Sequence, residues 1–147
     1  MNTPYGFERV QGPGLAFFRP KGKTQSKGDP VIYINCAPVG PKEQDKSVES
    51  YIESDISGFQ QHFKKGSVQK EDDVLLPTSP RLRAPAYTFR SGEENNAYER
   101  IVYIPENGRV LILVLSVKTQ DALAKTLPVF TEFVTSYKGS IIFGEQK

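Results

Sequence analysis

A chain of 147 residues with 37% hydrophobic and 24% charged side chains has the composition of one folded domain, not of a disordered or membrane-embedded segment. One His and one Cys exclude a structural zinc site of the Cys/His type and any intrachain disulfide, and they leave a single imidazole for catalysis. The 19 basic and 17 acidic residues give a net charge of +2, too small for a dedicated nucleic-acid binder.

The opening Met1-Asn2-Thr3-Pro4-Tyr5-Gly6-Phe7 has neither the basic n-region nor the apolar h-region of a signal peptide. Met1 is the only Met, and it reads equally as a start codon on a trimmed mature protein or as the start of a Met-poor cytosolic one. Tyr5 to Gln11 and Leu15 to Arg19 read as a hairpin turning at Gly12-Pro13-Gly14. Loops rich in Gly, Pro and Lys, Lys21 to Asp29 and Ala37 to Asp45, flank a buried strand from Val31 to Ala37, which contains Cys36 as a buried structural thiol.

From Ser47 to Lys65 the apolar residues Val48, Tyr51, Ile52, Ile56, Phe59 and Phe63 recur every three or four positions, which predicts an amphipathic helix. Asp45 or Ser47 caps its start, and Lys64, Lys65 and Gly66 mark its end. Val68 to Leu76 reads as a strand, and Pro77 to Pro85, with three prolines, as a loop. The segments Ala86 to Arg90 and Tyr98 to Ile104 flank the polar turn Ser91 to Asn96. Asn107-Gly108 is a strong hairpin signal, because both residues tolerate positive φ. Val110 to Leu115 is apolar without alternation, which predicts a central strand covered on both faces. That run, extended to Val117, is the longest apolar stretch and is far short of the ~18 residues of a membrane helix. Leu123, Thr126, Leu127, Phe130, Phe133, Val134 and Tyr137 share a helical face. Pro128 predicts a short turn from Gln120 to Lys125 and a main helix starting near Thr126. Ser140 to Phe143 reads as a short edge strand.

The order β-β-β-α-β-β-β-β-α predicts a single α+β domain over residues 1–147. It would be a mainly antiparallel sheet of about six or seven strands covered by two amphipathic helices. Several segments resemble the Mog1/PsbP-like α/β/α sandwich. These are Tyr5-Gly6-Phe7, Leu15-Ala16-Phe17-Phe18-Arg19-Pro20, the Ser47 to Phe63 helix, and the meander Tyr87-Thr88-Phe89, Arg100-Ile101-Val102-Tyr103 and Leu111-Ile112-Leu113. The closing Leu127 to Tyr137 segment resembles the family's last helix. That fold occurs in photosystem accessory proteins, a Ran-binding protein and many exported bacterial proteins. The resemblance implies a non-catalytic accessory or binding domain that is periplasmic or secreted; a cytoplasmic location stays open.

The chemistry-bearing residues are few. His62 lies at the margin of the first helix face, in line with Asp55 and near Tyr51. Asp55 and His62 are seven residues and about 10 Å apart, too far for a direct carboxylate–imidazole bond. No G-x-S-x-G elbow supplies a nucleophile. Gly22-Lys23-Thr24 lacks the upstream glycine of a phosphate loop, and Phe17 stands there instead. Glu71-Asp72-Asp73 and Glu93-Glu94-Asn95-Asn96 lack calcium-loop spacing. Arg19, Lys21, Lys23 and Lys27 form one basic loop, with no acidic residue between them, and Arg81 and Arg83 form a second, Pro-rich one. If the two shared an edge they would attract an acidic partner. We therefore expect a monomeric, non-enzymatic domain that binds another protein through these loops, in the manner of an inhibitor or immunity-type protein. No cofactor, metal, nucleic acid or transmembrane segment is expected. The rival reading is a small hydrolase or ligand-binding domain with a pocket formed by Tyr51, Asp55 and His62.

Overall fold

The computed structural model describes residues 1–22, 28–40, 47–78, 80–93 and 97–139. Lys23, Lys27, the candidate cap Asp45, residues Glu94 to Asn96 and the expected strand Ser140 to Phe143 lie outside the described residues.

The unalternating run is the key to the sheet. Strand β7 (Arg109–Val117) is buried without a break from Val110 to Leu115. It lies between β3 (Val31–Pro38) and β6 (Tyr98–Glu106), the central position expected of it. Around it are β1 (Phe7–Val10), β2 (Ala16–Pro20), β4 (Ser67–Leu76) and β5 (Leu82–Arg90). The seven strands run in the order β1-β2-β3-β7-β6-β5-β4, and every neighbouring pair is antiparallel. Asn107-Gly108 makes the β6–β7 turn, with Gly108 at φ +81°, a conformation only glycine adopts cheaply.

Side chains alternate across the sheet and divide the core into two layers. On one side the row Ile34, Leu113, Val102, Ala86 runs from strand to strand and packs under helix α2 (Gln120–Thr135). That helix buries Leu123, Phe130, Phe133 and Val134, and Phe133 meets Phe18 edge-on with ring centroids 5.4 Å apart. On the other side Phe89, Ile101, Tyr103, Ile112 and Val114 pack under helix α1 (Val48–His62), which buries only Ile52 completely. Ser47 is its cap, accepting from the Ser50 N–H at 3.2 Å.

Three local expectations are corrected. Residues 120–135 form one continuous helix with Pro128 inside it, not a turn followed by a helix. Thr119 caps it from the start, Pro128 faces solvent, and apolar residues on both sides of the proline dock onto the sheet. Tertiary packing thus outweighs the lost Pro128 hydrogen bond. Strand β5 begins at Leu82, not at Ala86, and includes Pro85. The β4–β5 register shifts between Glu71 and Val74, opposite Pro85, so the missing proline N–H falls where the ladder is already interrupted. Cys36 is exposed, not buried. It continues the Ile32–Ile34 row beyond the part that is covered and stands beside Arg109.

Candidate functional site

Helix α1 crosses the sheet so that Tyr51, Asp55, Gly58 and Phe59, spaced at about one helical turn, share a face. This face, Ser54, and Phe89, Glu99 and Ile101 of the sheet enclose a cleft of about 320 Å³. Its walls are aromatic. Phe59 meets Phe89 edge-on at 4.9 Å, and Tyr51 meets Tyr103 at 6.3 Å between ring centroids. Its floor carries two carboxylates. The buried Tyr103 hydroxyl donates to Asp55 Oδ2 at 2.6 Å, and the Tyr33 hydroxyl donates a weaker bond to Glu99 Oε2 at 3.5 Å.

The electrostatics follow from this enclosure. Burial raises the Glu99 carboxyl above its usual range and the Asp55 charge adds to the rise; the Tyr33 hydrogen bond and Lys118 oppose it. Burial also raises the Tyr33, Tyr51 and Tyr103 phenols, and the neighbouring carboxylates push them further. Among the described residues no basic side chain pairs with Asp55 or Glu99; the ion pairs there are Arg19–Glu8, Lys70–Asp73, Arg100–Glu71, Arg109–Glu106 and Lys125–Asp121.

A second hollow, of about 520 Å³, lies on the α2 side and is polar, lined by Glu71, Thr88, Arg90, Tyr98, Arg100 and the first turn of α2 among others. Its Glu71 carboxylate already has a basic partner. Arg100 Nε donates to Thr88 Oγ1 at 2.8 Å, Thr88 donates to Glu71 Oε2 at 2.7 Å, and Arg90 lies over the Tyr98 ring at 5.7 Å.

The residues singled out from sequence divide accordingly. Of the rival pocket residues, Tyr51 and Asp55 line the cleft and His62 does not: it is exposed at the helix end with its ring against Phe63. The basic residues are not brought together. Arg19 leaves β2 beside the start of β3, in the row that runs through Ser116 and Glu99 to Phe89. Arg83 lies on β5, six residues from Phe89, with Leu75 as its partner. Four strand spacings and about six residues of strand place Arg19 and Arg83 roughly 28 Å apart at opposite corners. Lys21 follows Arg19, and Arg81 precedes Arg83, so these four residues form no single surface; Lys23 and Lys27 lie outside the described residues. Sequence reasoning missed Glu99, Tyr33 and Tyr103. A signal for Glu99 was present, because it alternates with Ile101 and Tyr103 and is therefore a charge on an apolar strand face. Among the described residues no three His, Cys, Asp or Glu side chains form a metal-binding group, and no helix is long and apolar enough to cross a membrane.

With the architecture in hand, comparison with known proteins gives one clear result. The chain has the Mog1/PsbP-like fold. The solution structure of cyanobacterial PsbP from Synechocystis matches 91% of this chain and 82% of its own, with a TM-score of 0.52 and 12% identity. The crystal structure of protein PA94 from Pseudomonas aeruginosa matches 92% of this chain and 99% of its own, with the same TM-score and identity. No protein-family profile matches the sequence. Chloroplastic choline monooxygenase of spinach is 34% identical over 98 residues, which is 62% of this chain; the chain spans 22% of that enzyme's length.

Proposed function

We propose that this chain is a non-enzymatic accessory domain that binds a partner protein on the α1 side of its sheet. The observation that supports this reading is the inequality of the two layers. The hollow on the α2 side is polar and its Arg100 and Glu71 pair with each other, whereas the α1 layer leaves the rings of Phe17, Tyr33, Tyr51, Phe59 and Tyr87 only half-buried beside an open cleft. Half-exposed aromatics on a rigid sheet, with polar tips at their rim, are the composition of an interface centre. Phe17 and Tyr33 are stacked at 6.0 Å, so they are already ordered for docking. Arg19 projects from the same side of β2 as Phe17 and, with Lys21, supplies the basic rim.

A photo-crosslinking side chain at Phe17, compared with one at Thr131 on the outer surface of α2, tests the reading in extract of the native organism. The expected result is one adduct from position 17, weakened by Arg19→Glu and left intact by Arg83→Glu. Adducts from position 131 alone, or equal loss in both charge reversals, would overturn it.

A further inference from the structure

We infer that the cleft between α1 and the β5–β6 strands receives the cationic end of a lysine or arginine side chain from the partner protein. This rests on the proposed docking side and names the chemistry of its centre. Asp55 and Glu99 bring two carboxylates into one hollow, and among the described residues no basic side chain forms an ion pair with either; Lys118 acts on Glu99 only through space. Their hydrogen-bond partners are tyrosine hydroxyls, which fix the oxygens in place without neutralising them. A partly desolvated anionic pair attracts a cation far more strongly than the same pair in water does. The walls favour an organic cation over a metal ion. Tyr51, Phe59 and Phe89 offer ring faces and edges to an alkyl stem and its charged head, while Ca²⁺ and Mg²⁺ seek six or more oxygen ligands.

Size agrees with a side chain. A hollow of about 320 Å³ is at the lower limit of small-molecule sites and suits a lysine or arginine arm. The opposite hollow lacks this character, since Arg100 and Glu71 answer one another there. Gly58 keeps the cleft open: a Cβ built on it meets nothing within 4 Å.

The test is an NMR titration of the whole chain with Nα-acetyl-lysine methylamide and Nα-acetyl-arginine methylamide, with the uncharged norleucine analogue as control. Saturable shifts at the amides of Asp55, Gly58, Glu99 and Ile101 are expected with a Kd of roughly 1 mM, as suits a ligand of so few atoms. Asp55→Asn and Glu99→Gln should each weaken binding at least 10-fold, a change on the order of 1.4 kcal/mol. Gly58→Leu, which fills the cleft from an exposed helix position, should abolish it without lowering Tm, and Arg90→Ala should leave it unchanged. Binding of the norleucine analogue as tight as that of the lysine one, shifts centred on Arg90 and Tyr98, or affinity unchanged in both carboxylate variants would overturn the inference. If crosslinks from position 17 persist while the amides stay silent, the cation falls and the docking side stands. Amide shifts without any crosslink give the reverse.

Discussion

The contact that ties α1 to the sheet at the cleft is Tyr103 to Asp55, and its strength is measurable. Tyr103 is 0% exposed, and its hydroxyl donates to Asp55 Oδ2 at 2.6 Å. Tyr103→Phe removes that hydroxyl and leaves the ring packed against Tyr51 and Tyr87. A hydrogen bond to a charged acceptor contributes about 1.5–3 kcal/mol, and half-buried Asp55 regains part of this from water, so the expected cost is about 1–2 kcal/mol. For a chain of this length that is a fall in Tm of roughly 3–8 °C. Asp55→Ala leaves a buried phenol without its acceptor and should cost about 1–3 kcal/mol. In the double variant the orphaned group is absent, so the two losses should overlap. Urea unfolding of all four proteins at pH 7 should give a coupling energy of about 1–2 kcal/mol with unchanged m values. A coupling below about 0.5 kcal/mol would show that the bond does not hold α1 in place, and the reasoning would fail.

Pro128→Ala restores an N–H donor inside α2 at an exposed position, so it should raise stability by about 1–3 kcal/mol; a lower Tm would mean the proline shapes the helix to the sheet. Gly92 has φ +74°, and a Cβ there would stand 2.2 Å from the Lys65 carbonyl oxygen, so Gly92→Ala should cost about 2–4 kcal/mol by thermal unfolding. The Glu99 carboxyl is raised by burial, so the unfolded chain gives up that proton at lower pH than the folded one, and Glu99 reduces stability progressively as pH rises from its ordinary value to its raised one and fully above it. Glu99→Gln should therefore increase Tm at pH 7. The gap should close as pH falls below about 4, where both states hold the proton, and an equal gap at both pH values would refute the assignment.

Much of the fold was legible because its signals are local. The unbroken run Val110 to Leu115 announced a central strand, Asn107-Gly108 its turn, and the spacing from Val48 to Phe59 a helix with Tyr51 and Asp55 on its inner side. What was not legible depends on contacts distant in sequence. Nothing near Cys36 reveals that its row runs past the covered part of the sheet. Pro128 reads as a break because local propensity does not include the docking of Leu123 and Phe130 on either side of it. The separation of Arg19 from Arg83 follows from the strand order, which places β3, β7 and β6 between β2 and β5. Half of the cleft could be read from the helix period. Glu99 needed the alternation of β6 to be set against α1, and it lies 44 residues from Asp55 in sequence.

The cleft has a geometric origin and, at one residue, a cost. Helix α1 connects β3 to β4, four strand spacings away, a span of about 19 Å that its 15 residues, roughly 22 Å long, just cover. Strands β5 and β6 are nine residues long, roughly 30 Å, so a single helix of about 10 Å diameter laid across them leaves its flank open beside Phe89, Glu99 and Ile101. Gly58 widens that opening, and the fold has no need of it. Its backbone is helical with no positive φ, and no atom lies within 4 Å of where a Cβ would be. A mid-helix glycine costs about 1 kcal/mol relative to alanine. Gly58→Ala should accordingly raise Tm by roughly 3–4 °C, and Gly58→Leu should retain much of that gain while closing the cleft. If instead both variants unfold more readily than the parent, Gly58 serves packing, and the open space beside Asp55 and Glu99 is incidental to it.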